Sequence, residues 1–335
     1  MALSIDTGLT YSLDNIVQQL NRYVSPAIFI FGVVGNTLNC LVLSQRTLRS
    51  NPCTLFLLVS SFIDIISILF GLPTRILGGW NLDPTTTISW ICKIRAFTVF
   101  STRTMATWLI MLATIDRWLL SSTDVHRRQI CSMKNVKRAI ILSLIVSILT
   151  YVHMFYCYNA NIEDQPLKCY GNTETCRLIT DLSYAFISIL IPLIIMIIFG
   201  LMTISNVHRI HSRVHHRITT ILDNDERMKM KKKMLHSKKL DHHLLCMLSV
   251  EVILLIVLCV PQAIEKLYFT LKPFGSGSGL EESIKVLIYN IGLLLAFIAS
   301  GMPFYINVLA GGSVYTKACS DLIQIVAEKM FGKLQ

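Results

Sequence analysis

The chain has 335 residues, of which 53% are hydrophobic and only 15% are charged. A soluble domain of this size carries about 25% charged residues, so this composition predicts a membrane protein. The net charge is +11, but the basic residues cluster between particular apolar segments, which fits membrane topology rather than nucleic-acid binding. The ten cysteines form no CxxC pair and no Cys/His zinc spacing, so we predict no metal site and no cofactor.

Seven apolar segments are long enough to cross a bilayer as helices. Residues 1–23 lack a basic start followed by an apolar core, so we expect an uncleaved extracellular N-terminus. Residues 310–335 carry apolar side chains at helical spacing, which predicts a cytoplasmic amphipathic helix and a short tail. The predicted spans are about 24–43, 54–77, 92–118, 139–158, 182–206, 244–269 and 284–309.

The segments between the spans differ in charge. Segments 46–52, 119–138 and 207–243 have a clear excess of Lys and Arg, whereas the others are mixed. The positive-inside rule then places these three segments in the cytoplasm, together with the C-terminal tail. The N-terminus is therefore expected outside the cell.

Polar side chains inside the spans are expensive, and a charged one there is a candidate functional group. Asp64 lies in the second span, where it is either a functional carboxylate or a packing carboxyl bonded to Asn36 of the first span or to a serine. Arg103 lies well inside the third span and should face the bundle. There it either pairs with a buried carboxylate or lines a ligand pocket.

The third span begins with Cys92 and ends in the run Asp116-Arg117-Trp118, and Cys92 is 25 residues before Arg117. Together with other motifs at fixed spacing, this span resembles the rhodopsin-like (class A) G-protein-coupled receptors. The resemblance covers 24–326. It implies an all-α membrane protein, a seven-transmembrane helix bundle with a short amphipathic helix after the last span, in the plasma membrane. The other matching residues are Gly35, Asn36, Asp64, Pro192 and Pro261.

The resemblance assigns the cytoplasmic end of the bundle to G-protein coupling. Arg117 would bind a heterotrimeric G protein once it is released from Asp116 and from Asp241, an acid twenty residues before Pro261. Trp118 stands where the family usually has Tyr. Further in, Asn36 and Asp64 would form an intramembrane polar core.

The resemblance also implies a disulfide between the start of the third span and the loop after the fourth. Cys169 is favoured as the partner of Cys92 because it lies 23 residues before Pro192, the usual family spacing. Cys176 and two free thiols are the alternatives. Cys319 in the amphipathic helix is a candidate palmitoylation site, or else an unmodified thiol.

The ligand is expected in the outer half of the bundle. Val99 stands where amine receptors have an Asp, which argues against a biogenic amine. The mixture of charged and aromatic residues at the family's pocket positions suits a neuropeptide. These positions are Val99, Arg103, Tyr184, Gln262, Glu265 and Tyr289.

Departures from the family pattern leave a second function open. Cys259 replaces a Trp, Gly200 replaces a Tyr, and the Asn-Pro-x-x-Tyr motif of the last span is degraded, with Pro303 or Asn307 as its remnant depending on the alignment. We predict a receptor that binds an extracellular ligand, most simply a peptide, and activates a heterotrimeric G protein. The alternatives are a seven-helix binding protein with weak or no signalling and, with less support, a transporter. No enzymatic constellation is visible.

Overall fold

A computed structural model of the chain describes residues 2–49, 51–122, 124–162, 167–220, 224–272, 278–310, 315–322 and 324. Within these ranges it describes the side chains except those of 2–7, 46–47, 208–220 and 224–244.

Among the described residues, seven helices are long and apolar enough to cross a membrane. The shortest has 23 residues, which gives about 34 Å at 1.5 Å per residue and exceeds the hydrocarbon thickness of about 30 Å. The predicted seven-helix bundle is thereby confirmed. Spans 1 to 7 are Gly8–Leu43, Pro52–Gly78, Ser89–Leu120, Met133–Cys157, Glu174–Val207, Leu245–Leu271 and Gly279–Gly301.

Several helices begin at a polar N-cap residue. Short polar side chains are favoured there because they accept a hydrogen bond from a free backbone amide of the first turn. Asn51, Ser132, Thr173 and Ser278 each accept from an amide in the first turn that follows. The α-helices are Ala2–Gln19, Ser25–Leu43, Arg46–Arg49, Pro52–Gly78, Ser89–Leu120, Val125–Ile130, Met133–Tyr151, Met154–Cys157, Glu174–Leu182, Ile191–Thr220, Asn224–Leu271, Gly279–Gly301 and Pro303–Ala310, and residues 315–322 are also helical. The π-helical stretches are Leu20–Val24 and Ser183–Leu190, and Pro84–Thr86 is a 3-10 turn.

The segment expected as an N-terminal tail is helical from Ala2 and continues through Leu20–Val24 into span 1. Its side chains contact two neighbouring spans. Ser283 at the start of span 7 donates to Asp14 at 3.2 Å. Arg22 donates to the carbonyl of Gly79 at 2.8 Å. The N-terminal helix is therefore packed against the ends of spans 2 and 7.

The predicted ends of spans 4 and 7 also differ from the structure. The fourth helix begins six residues before its predicted start, because Ser132 caps it at Met133. The last predicted span, 284–309, is two helices that meet at Met302. Pro303 has no amide hydrogen and opens the second of them, where a missing donor costs least.

A two-stranded antiparallel hairpin follows span 4, with strands Tyr158–Asn159 and Tyr170–Gly171. Two disulfides fasten it. The Cys92–Cys169 bond joins the hairpin to the start of span 3, as predicted. Cys176 pairs with Cys157, which lies within the predicted fourth span, 139–158. We call this end of the bundle the disulfide end, and the end that carries Asp116 and Arg117 the Asp-Arg end.

Candidate functional site

A cavity of about 20 Å³ lies beneath the hairpin at the disulfide end. Its walls come from spans 3, 5, 6 and 7, and the hairpin residues Cys169 and Tyr170 contribute to the lining. The structure brings five of the six predicted pocket residues together here. They are Val99, Arg103, Tyr184, Gln262 and Tyr289.

Arg103 is buried at the floor of this cavity. Its Nη1 donates to the Tyr184 hydroxyl at 3.2 Å and to Gln262 Oε1 at 3.5 Å, and Tyr184 donates to the same amide oxygen at 2.8 Å. The guanidinium carbon lies 4.2 Å from the ring centroid of Phe297, which suits a cation–π contact. Among the described residues no carboxylate lies within ion-pair distance of Arg103, and Nη2 has no hydrogen-bond partner.

Glu265, the sixth predicted pocket residue, does not line this cavity. Its carboxylate packs against the backbone of span 7 at Gly292, where a Cβ atom would clash with it. The side chain is buried, and Oε1 has no hydrogen-bond partner among the described residues. The glycine is what allows helices 6 and 7 to approach around this carboxyl group.

A buried ion pair above the cavity was not predicted. Lys266 Nζ lies 2.8 Å from Asp181 Oδ1 and donates to the Tyr170 hydroxyl at 3.1 Å. It also lies 5.0 Å from the Tyr170 ring centroid and 5.1 Å from that of Tyr289. Burial raises the pKa of Tyr170 well above its usual value, so this hydroxyl stays protonated. The pair joins span 6 to span 5 and to the hairpin.

The two residues of the predicted polar core converge on Ser300 instead of on each other. Asn36 Nδ2 donates to the carbonyls of Gly32 and Ser300 at 3.0 and 2.8 Å. Asp64 hydrogen-bonds Ser300. Asp64 also lines a second cavity of about 40 Å³, together with Arg103 and Glu251.

A second amide, Asn39, is the centre of a polar network nearer the Asp-Arg end. Its Nδ2 donates to Ser61 Oγ at 2.7 Å. Its Oδ1 accepts from Asn307 at 2.9 Å and from the Tyr315 hydroxyl at 2.5 Å. The network ties spans 1 and 2 to the helix that follows span 7, and burial raises the pKa of Tyr315.

At the Asp-Arg end, Arg117 is buried with 5% of its side chain exposed. Its Nη2 lies 3.1 Å from Asp116 Oδ2 and donates to Asn51 Oδ1 at 2.7 Å. Asn51 Oδ1 also accepts from the amide of Cys53 and so caps span 2. Trp118 packs its ring edge-on against Phe199.

The sequence profile of the 7 transmembrane receptor (rhodopsin family) matches residues 35–304. The chain belongs to this family. It is a family of signalling receptors rather than enzymes, in agreement with the sequence prediction. The matched region contains the cavity beneath the hairpin, the two disulfides, Asn51 and the Asp116-Arg117 pair.

Three curated relatives are similar over parts of the receptor. Neuromedin U receptor homolog nmur-2 of Caenorhabditis elegans is 24% identical over 155 residues, which is 46% of this chain and 38% of the relative. FMRFamide peptide receptor frpr-18 of the same organism is 24% identical over 146 residues, which is 42% of this chain and 34% of the relative. Human galanin receptor type 2 is 29% identical over 117 residues, which is 34% of this chain and 29% of the relative. The matched part of this chain spans well under half the length of each relative.

Two predicted residues of the receptor lie at or beyond the Asp-Arg end. The side chain of Asp241 lies outside the described residues, so its predicted contact with Arg117 stays a prediction. Cys319 lies in the helical stretch 315–322, where its thiol is partly buried. Burial raises the pKa of Cys319 above its usual value, and its palmitoylation also stays a prediction.

Sequence reasoning missed four residues that the receptor uses at its two ends. Asn39 follows Asn36 by three positions and so shares its helix face, a signal that was available. Lys266 is a lone cation in an apolar run, which also signals a buried partner. Asp181 and Asn51 gave no comparable signal, because their partners are distant in sequence.

Proposed function

We propose that this rhodopsin-family receptor binds a peptide at its disulfide end and activates a heterotrimeric G protein at its Asp-Arg end. One observation supports this proposal most directly. Arg117, the residue that the family uses for coupling, is held in a buried position by Asp116 and Asn51 at the end opposite the ligand cavity. A buried arginine there is in the state expected of a receptor at rest.

We propose that the disulfide end, with the N-terminus, faces the outside of a plasma membrane. Disulfides persist in oxidising compartments, and both bonds lie at this end. The loops of the opposite end carry the Lys and Arg excess that favours the cytoplasm. A glycan or epitope tag placed on residues 1–23 and probed on intact cells tests this orientation.

Coupling would follow from a population shift between two packings of the helices. A ligand that changes the Arg103–Tyr184–Gln262 contacts acts on spans 3, 5 and 6 together. Span 3 also carries Asp116 and Arg117 at its other end. Release of Arg117 from Asp116 and Asn51, and from Asp241 if that contact forms, would expose it to the G protein, with Trp118 beside it.

A peptide is the ligand class that the cavity and the relatives favour. The three relatives are named as a neuromedin U receptor homolog, an FMRFamide peptide receptor and a galanin receptor. Val99 stands where a carboxylate would pair with an amine ligand. The other residues that line the cavity offer aromatic rings and hydrogen-bond donors. We propose ligand contacts for Val99, Arg103, Tyr184, Gln262 and Tyr289, with Glu265 supporting them from the interface of spans 6 and 7.

The test is a G-protein activation assay in cells that display the receptor, screened with a library of synthetic neuropeptides. Wild type is compared with Arg117→Ala and with Arg128→Ala, an exposed arginine at the same end. We expect a peptide response in wild type and Arg128→Ala that Arg117→Ala loses while keeping surface expression. Peptide binding without any response in wild type would favour the alternative of a seven-helix binding protein that does not signal.

A further inference from the structure

We propose that two buried arginines at the disulfide end, Arg75 of span 2 and Arg95 of span 3, receive a carboxylate of the peptide ligand. This inference rests on the proposed peptide-receptor function and narrows its ligand class. The carboxylate comes from an acidic side chain or from a free C-terminus of the peptide. The two sources share one chemistry and are separated by the experiment below.

The two guanidinium groups are buried close together without an acid on either of them. Arg75 is 6% exposed and Arg95 is 8% exposed. Arg95 Nη2 reaches the carbonyl of Gly71 at 3.5 Å, one turn before Arg75 in the same helix. Among the described residues neither arginine has a carboxylate within 4 Å, and the Nε atom of each has no hydrogen-bond partner.

One acid in this region, Asp83, lines a cavity together with Arg75 but forms no ion pair with either arginine among the described residues. Asp83 is the carboxylate that acts electrostatically on each of them. Its Oδ1 accepts from the amide and the hydroxyl of Thr85 at 2.9 and 2.7 Å and so caps the 3-10 turn Pro84–Thr86. A charge that is buried without a bonded partner is costly. Two neighbouring buried guanidinium groups that lack a carboxylate partner among the described residues therefore indicate a site built for an anion.

Arg75 lines a cavity large enough for part of a peptide. Its volume is about 320 Å³, and Lys168 of the hairpin adds a third cation to its wall. The cavity shares Leu167 and Tyr289 with the smaller cavity that Arg95 lines. The two cavities therefore adjoin beneath the hairpin, with Arg75 in the wall of one and Arg95 in the wall of the other.

Two amides in the same region complete the polar complement. Asn290 lines the large cavity and its Nδ2 has no hydrogen-bond partner among the described residues. Asn21 lines it as well and its Oδ1 is likewise unpartnered. The arginines and Asn290 offer donors to a carboxylate, whereas Asn21 offers an acceptor to an adjacent N–H. That combination matches a carboxylate carried by a peptide better than a bare inorganic anion.

The first experiment needs neither a known ligand nor a G protein. Thermal unfolding of the purified receptor is measured with millimolar glutarate and with glutaramide, its uncharged analogue. We expect glutarate alone to raise the midpoint by about 2 °C or more. The rise should vanish in the Arg75→Gln/Arg95→Gln variant and persist in Lys272→Gln, which removes an exposed cation paired with Glu281 at the same end. No glutarate shift in wild type, or an equal shift in the double variant, would overturn the proposal.

The second experiment uses peptides that activate or bind the receptor. Each is resynthesised with Asp or Glu replaced by its amide, and separately with its C-terminus amidated. One of these two changes should lower potency by about 10- to 100-fold in wild type and should cause no further loss in Arg75→Gln/Arg95→Gln. Peptides that keep full potency after both changes would overturn the proposal.

The variant Arg75→Lys/Arg95→Lys distinguishes a loss of anion binding from a folding defect in the glutamine variants. This variant keeps both charges but loses the two-pronged guanidinium geometry. It should retain part of the glutarate shift and part of the preference for acidic peptides. Because the glutarate measurement involves no G protein, its failure is distinguishable from a failure of coupling.

Discussion

Arginine is buried at both ends of the bundle, but its surroundings differ. At the Asp-Arg end, Arg117 is 5% exposed and is held by a carboxylate and an amide within 3.1 Å. At the disulfide end, Arg75 and Arg95 are almost as buried, yet among the described residues neither has an acid in contact. Buried polar groups are normally satisfied because leaving one unpaired costs stability. The difference fits an Asp-Arg end whose buried arginine is paired within the protein, and a disulfide end whose buried arginines are free to bind a ligand.

The disulfide end itself contains both situations. Lys266 lies one helical turn after Gln262 in span 6, and Gln262 accepts from Arg103 at 3.5 Å. Lys266 is fully engaged by Asp181, Tyr170 and three aromatic rings. Lys266 therefore fastens the hairpin, whereas Arg75, Arg95 and Arg103 keep guanidinium nitrogens without a hydrogen-bond partner among the described residues. Breaking the first should cost stability, and breaking the others should cost ligand affinity.

The largest loss of stability is expected from the buried pair. Lys266→Ala leaves Asp181 charged and unpaired in the interior, which should lower the free energy of unfolding by about 3–5 kcal/mol. Chemical or thermal unfolding of the purified receptor measures this. Lys272→Ala breaks an exposed pair at the same end and should have little effect. Equal losses in the two variants would contradict the assignment, and Lys266→Met combined with Asp181→Leu should recover most of the stability.

Removing a disulfide should cause the next largest loss of stability. Replacing Cys92 and Cys169 by serine, or Cys157 and Cys176, should each cost about 2–5 kcal/mol of unfolding free energy. Cys246→Ser, which removes an exposed free thiol, is the control. Peptide mapping under non-reducing conditions checks the pairing. Recovery of a Cys92–Cys176 peptide would contradict the structure.

The polar network at Asn39 should contribute less, because its bonds are between neutral groups. Asn39→Leu leaves Ser61, Asn307 and Tyr315 without their shared partner and should lower the unfolding free energy by about 1–3 kcal/mol. Tyr315→Phe removes a single donor and should cost about 1 kcal/mol. Asn15→Ala, at an exposed amide, is the control. A Tyr315→Phe variant as unstable as Asn39→Leu would contradict the shared-acceptor arrangement.

At Cys131, whose thiol donates to the carbonyl of Asp116 at 3.6 Å, the expected effect is on reactivity instead of stability. Burial raises the pKa of this thiol from its usual value near 9 to about 12. Because only the thiolate reacts, alkylation at pH 8 should be about 100- to 1,000-fold slower than for an ordinary thiol and should accelerate as the pH rises. Mass spectrometry of iodoacetamide-treated receptor measures it against the exposed Cys246. Equal rates at the two cysteines would contradict the partly buried position of Cys131.

The sequence predicts the seven spans because each must be apolar over the thickness of a bilayer. It also predicts the Cys92–Cys169 bond through the resemblance to a family. The helix from Ala2 to Gln19 is not among the predicted elements, although Leu9, Leu13, Ile16 and Leu20 recur at helical spacing. Its helical form depends on contacts such as Ser283 to Asp14 that join residues far apart in sequence.

The candidate site is predicted less completely for the same reason. Val99, Arg103, Tyr184, Gln262 and Tyr289 are placed at one cavity by family spacing. Arg75 and Arg95 pass as ordinary charges near span ends, where arginine side chains reach water. Only the folded bundle shows that both are buried there without an acid. The hydrogen bond from Arg117 to Asn51 likewise becomes visible only when spans 2 and 3 are side by side.

The most direct test of receptor function measures basal nucleotide exchange by a heterotrimeric G protein on membranes that carry the receptor. Asn51→Ser keeps a capping hydroxyl for span 2 but is too short to hold Arg117, whereas Asn51→Asp keeps the contact and adds charge. We predict that Asn51→Ser raises exchange by about tenfold, that Asn51→Asp lowers it, and that Arg117→Ala added to Asn51→Ser returns it to the level of membranes without receptor. Equal exchange in all of these variants would contradict the proposal that Arg117, held by Asp116 and Asn51, is the switch of the receptor.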